Sequence, residues 1–203
     1  MYTELFKELS NIVRTPFEFI SNIPDDYADL RNRLESLPEF QHIDLWHNQV
    51  DYLSEEHPFP TPAIFFEFNT VKVDDAGELT QNTDLQVDMH IYWETFSDTY
   101  EGATMQDEAL QFLDLLLLVG LMFHGRSGKN FHQMRRSGTQ REETGGAGNL
   151  YRITFQTLIT EFSGLNLKQI IQDSERELNI NDSMDNTGKT EKDIDNDVPL
   201  FQI

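Results

Sequence analysis

The sequence predicts an α+β fold, an antiparallel sheet with a long core helix packed on one face. Three observations carry this. Residues 85–95 alternate apolar and polar side chains without a break, residues 105–123 form a leucine-rich run that ends near two glycines, and the first forty residues show helical spacing bounded by prolines. A chain of 203 residues suits one domain with an appendage. Hydrophobic residues make up 38%, with 15 Phe among them, enough to build a substantial core.

In chain order, Leu5, Phe6, Leu9, Ile12 and Val13 form one apolar helical face, and Pro16 closes that segment. A second short helix starts at Asp25 or Asp26, carries Tyr27, Leu30, Leu34 and Leu37, and stops at Pro38. His42–Asp51 alternates loosely as a strand. Pro58-Phe59-Pro60-Thr61-Pro62 then leads into Ala63–Asn69, with Ile64, Phe66 and Phe68 on one face. Asp74-Asp75-Ala76-Gly77 reads as a turn. In Leu85–Thr95, Leu85, Val87, Met89, Ile91 and Trp93 face one way, and Gln86, Asp88, His90, Tyr92 and Glu94 the other. That pattern predicts a sheet with one covered face.

The long helix spans Met105–Phe123, with Thr104 and Asp107 as its capping signal. Leu110, Phe112, Leu113, Leu116, Leu117, Val119 and Leu121 cover most of its girth, which makes it the central core helix, and Gly125 and Gly128 end it. A strand at Phe131–Arg136, a glycine-rich loop at 145–148 and a last strand at Leu150–Phe162 follow. The domain spans residues 1–164. Residues 165–203 hold nine acids and four bases and read as an acidic, largely disordered tail, with a short helix at Leu167–Leu178.

Charge narrows the partners. There are 36 acids against 15 bases, a formal net charge of −21, so the overall field repels nucleic acid and anionic membrane. The lack of cysteine excludes disulfides and thiolate chemistry. The amino terminus lacks a basic region followed by an apolar run, and the longest apolar run, Leu115–Phe123, falls short of the ~20 residues that span a bilayer, so neither a secretory signal nor a membrane segment is expected.

Motif tests return little chemistry. Gly125–Asn130 resembles a phosphate loop, but Phe123 stands where the first glycine belongs, and Asn130 where Ser or Thr belongs. Asp193, Asp195 and Asp197 mimic the start of a calcium loop, but Val198 occupies the position of its glycine. The histidines show no metal-ligand spacing: His42 and His47 would face opposite sides of a strand, His90 stands on a polar face, and His124 and His132 flank a glycine turn. No catalytic residue, metal or cofactor is expected. One anomaly stands out: Arg126, Lys129, Arg135, Arg136 and Arg141 fall in a stretch without a single acid, leaving ten bases against all 36 acids elsewhere. This segment reads as a turn-rich loop or hairpin. It is either simply solvated or a contact surface for the acidic face of a neighbouring copy or for DNA. Val198, Pro199, Leu200, Phe201 and Ile203 form an apolar, β-prone end to the acidic tail. This is either a segment without a role or a docking peptide that adds a strand to a partner.

The order of elements resembles that of phage tail-completion or tail-terminator proteins, in particular small ones of the Bacteroides-phage type. Ile43–Leu45, Phe59–Phe68 (with its Pro-Ala-Ile-Phe-Phe-Glu-Phe run), Leu85–Trp93 and the helix at Asp107–Phe123 carry the likeness, which spans roughly residues 1–162. The resemblance implies a structural virion protein, not an enzyme, located in the neck or tail after assembly in the host cytoplasm. It also implies a ring, usually of six copies, that joins head to tail beside portal, neck or tail-tube proteins. DNA would pass through the lumen without specific binding, and an acidic lumen would let it slide. The reading from residues alone also leaves open a non-enzymatic adaptor that binds a partner through the basic segment or the tail.

Overall fold

The computed structural model describes residues 1–52, 58–94, 100–104, 106–143 and 148–187. Five strands, β1 (His42–Leu45), β2 (Ala63–Gly77), β3 (Thr80–Trp93), β4 (Arg135–Glu142) and β5 (Asn149–Glu161), form one sheet in the order β1-β2-β3-β5-β4. All neighbours run antiparallel except β1, which is parallel to β2. The helices are α1 (Tyr2–Arg14), α2 (Pro16–Ile20), α3 (Ala28–Glu35), α4 (Gln106–Phe123) and α5 (Ser163–Thr187). The fold is therefore α+β.

The main core lies between one sheet face and the helices α1, α3 and α4. Leu5 and Leu9 of α1, Leu115, Leu118 and Val119 of α4, and Val87, Met89, Ile91, Ile153 and Phe155 of the sheet are all buried there. This is the face assigned by the alternation in β3. Helix α4 is less enveloped than its composition suggests. Phe112, Leu115, Leu116, Val119 and Met122 turn inward at helical spacing, whereas Leu110, Leu113 and Leu121 are exposed. Leu113 is thus not one of the side chains that meet the sheet. Its neighbour Asp114 instead pairs with Arg33 of α3.

Other expectations shift for local reasons. The strand expected over His42–Asp51 ends at Leu45, and Asn48 beyond it takes a left-handed conformation (φ 63°). There the Gln49 side chain accepts from the His47 amide and donates to the Leu45 carbonyl, drawing the backbone into a short 3₁₀ turn at Gln49–Tyr52. Asp74–Gly77 does not form a turn. It continues β2, with Asp74 opposite Asn82 and paired with Lys72, and the reversal falls two residues later at Glu78-Leu79. Gly77 (φ 144°) and Leu79 (φ 59°) supply the unusual backbone angles that this reversal needs.

The second sheet face is also covered at one end. Ala63, Phe65, Tyr92 and Leu150 are buried there under Val50, Trp46 and Phe59, because the chain between β1 and β2 folds back across the sheet. The helix after the last strand is longer than Leu167–Leu178. α5 continues to Thr187, so residues 179–187, expected in the tail, are helical. It meets the sheet at its start, where Gly164 lies against Leu79 and Lys168 pairs with Glu78, holding that carboxyl below the usual carboxylate range. No helix among the described residues is long and apolar enough to cross a membrane. Thr95, Met105 and most of the glycine-rich loop lie outside the described residues, as do Asp193–Asp197 and the apolar end Val198, Pro199, Leu200, Phe201 and Ile203.

The two faces of α4 give a direct check. Leu116→Ala should lower stability by about 2–5 kcal/mol in urea denaturation, as for a buried leucine. Leu113→Ala should change it by no more than about 0.5 kcal/mol.

Candidate functional site

The basic segment divides between a loop and a strand. The segment from Gly125 to Met134 is a tight loop, closed by the amide of Gly125 donating to Met134 and that of Met134 donating to Arg126. Glu8 of α1 pins it from outside. Its carboxylate accepts from the amides of Lys129 (2.7 Å) and Asn130 (3.0 Å) and from the Asn130 side chain (2.7 Å). A side chain on Gly128 would run into both Glu8 and Phe131, so the clasp requires glycine there. Arg126 and Lys129 project from this loop into solvent.

Arg135, Arg136 and Arg141 are not on a loop or flap. They lie on β4, the edge strand, exposed along nearly its whole length and paired only with β5. Their register sends them to different faces. Arg136 and Arg141 stand opposite Phe155 and Tyr151, on the α4 side, and the Arg136 guanidinium reaches Gly120 of α4. Arg135 stands opposite Gln156 on the other face and borders a shallow trough with Asp84 and Val71. The irregularity between Arg136 and Gly138 lets the alternation resume with Arg141 on the same side as Arg136. Among the described residues, none of the five bases forms an ion pair within the chain.

Sequence reasoning missed a second constellation, on the outer face of the sheet. His90, on the polar face of its strand, is 2% exposed. Its Nδ1 lies 2.8 Å from Glu142 and its Nε2 3.1 Å from Glu67, while the Trp46 ring stacks on it at 4.0 Å. Glu142 also meets Arg152 at 3.2 Å. Beside this group Asp88 is buried and accepts from Gln86 (2.7 Å), Asn69 (3.3 Å) and Thr154. Tyr92 completes the row. Burial pushes its phenol well above the ordinary value, and its hydroxyl donates to Glu94 at 2.9 Å. The alternation in β3 puts Asp88, His90 and Tyr92 on one face, but the partners come from β2, β4 and β5, and Trp46 from outside any strand. Only the strand order reveals them.

This cluster is internally committed. Both ring nitrogens of His90 are already engaged by carboxylates. Among the described residues, no three His, Asp or Glu side chains converge where a metal could sit. The arrangement ties the end of β4, through Glu142, to the central strand β3.

No protein-family model matches the chain, and no curated protein sequence matches it either.

Removing the Asp88 acceptor leaves the side chains of Gln86, Asn69 and Thr154 short of a partner. Asp88→Ala should therefore lower stability by about 1–3 kcal/mol in urea denaturation.

Proposed function

We propose that this chain is a structural protein of a phage particle that assembles into a ring at the neck or the head-proximal end of the tail, using the β4 edge as a subunit contact. One observation carries the assembly part of this reading. Three of the five clustered bases lie on an exposed edge strand, and among the described residues none of the five forms an ion pair, in a molecule that is otherwise strongly acidic. An edge strand with open hydrogen-bonding groups is a template for pairing with another chain, and its charge selects an acidic partner.

The opposite edge of the sheet offers such a partner. β1 covers β2 only from Ala63 to Phe66. From Glu67 to Gly77 the outer side of β2 carries no strand among the described residues, and this stretch holds Glu67, Asp74 and Asp75 against Lys72. Within one subunit β2 and β4 run in opposite directions. Copies related by rotation could thus join β4 to the free part of β2 and continue the antiparallel alternation. A head-to-tail contact of this kind closes into a ring when its rotation divides a full turn. The placement of this ring in a virion, with portal, neck or tail-tube neighbours and DNA in the lumen, follows the resemblance of the sequence to tail-terminator proteins. The exposed Asp84 and the half-buried Glu67 on the outer sheet face suit a wall past which DNA slides.

Light scattering and negative-stain images test this directly. The wild-type chain should give a closed ring at low salt. Arg135→Glu with Arg136→Glu should leave the monomer folded and shift the mass toward it, and high salt should imitate the change. Rings of unchanged stability in the double variant at every salt concentration would remove β4 from the interface.

A further inference from the structure

Apart from β4, an apolar groove lies between α2, α3 and α4, with a volume of about 260 Å³. Leu115, Leu118 and Met122 of α4 form its floor, all three nearly fully buried, and Pro16 and Pro38 stiffen its two walls. Phe17 stands at the rim, 69% exposed, a large aromatic ring left in water. The volume lies below the roughly 300–1,000 Å³ of small-molecule and cofactor sites, which suits it to bulky side chains brought by a partner. Its charged lining residues, Glu35 and Glu39, are both acidic and both exposed, and the exposed Glu18 follows Phe17 on α2.

We propose that this groove docks a segment of another protein that carries a bulky apolar anchor with lysine or arginine within a few residues of it. The apolar floor takes the anchor, and the carboxylates on the rim select its flanks. The chain's own residues 198–203 are apolar too, but Glu191, Asp193, Asp195 and Asp197 precede them and would meet Glu35 and Glu39 with like charge. That contrast favours a basic partner over the chain's own end. The proposal does not depend on ring assembly, since no residue of β4 lines the groove.

The test uses the full chain with ¹³C-labelled methionine methyls and a fluorescein-labelled probe peptide, Gly-Lys-Arg-Leu-Phe-Lys-Arg-Gly. The peptide should bind saturably in fluorescence anisotropy and shift the Met122 methyl resonance. Glu35→Lys with Glu39→Lys should weaken it about fivefold or more. Phe17→Ser, a change at an exposed site that the fold tolerates, should weaken it independently. The proposal is overturned by an absence of saturable binding, by equal binding of the peptide with its bases changed to glutamate, or by affinity unchanged in both variants. Tighter binding of a peptide copied from residues 196–203 would also overturn it and make the chain's own end the occupant. Because neither Arg135 nor Arg136 lines the groove, a failed ring and a failed groove give separate results.

Discussion

The pairing of β3 along both sides is the constraint on which the rest of the molecule depends. β2 holds it from Thr80 to Tyr92 and β5 from Gln81 to Trp93, so almost every backbone group of this strand is bonded within the sheet. Its side chains then serve two interiors. Val87, Met89 and Ile91 go into the helical core, while Asp88, His90 and Tyr92 go into the polar and aromatic layer on the other face. A one-residue slip of β3 would drive a carboxylate and an imidazole into the core and expose its aliphatic side chains. Two such different layers on one strand fix the register more firmly than either alone.

The division of labour between the two faces follows. One face is an apolar core with helices laid across it, stabilised by burial. The other is held by directed contacts. These include the stack of Trp46 on His90, the carboxylates at both imidazole nitrogens, and three donors on Asp88. Glu142 belongs to this layer and sits one residue after Arg141, so the polar layer sets the position of the basic edge strand. The candidate interface and the buried cluster are thus mechanically linked, although one faces solvent and the other does not.

What was legible in the sequence is what depends on local periodicity. The alternation of Leu85–Trp93, the helical stripe of Leu5, Leu9, Ile12 and Val13, and the last strand to within one residue at each end are local properties, and the structure keeps them. The rest needed nonlocal contacts. The length of β2 past Asp74 comes from pairing with residues after the turn, so a polar Asp-Asp-Ala-Gly run that invites a reversal stays extended. The early end of β1 comes from one glutamine side chain that bonds its own backbone. Exposure of Leu113 depends on how little of the girth of α4 the sheet can cover. For the candidate site, the clustering of bases was visible as charge. That Arg135 and Arg136 belong to an edge strand and face opposite ways was not, because edge position is a property of strand order. The setting of His90 was not legible for the same reason: the two carboxylates it meets come from strands distant in sequence.

The clasp of Glu8 on the loop at Lys129 and Asn130 also has a bearing on synthesis. These groups are separated by 121 and 122 residues of chain. On the ribosome, α1 lacks this anchor until 121 further residues have been made. The sheet that its apolar face packs on is not complete before β5 arrives either. An amphipathic segment in that position must wait, with Leu5 and Leu9 unburied, until those later partners are made. That delay is an interval in which the segment is open to capture by chaperones or by another nascent copy.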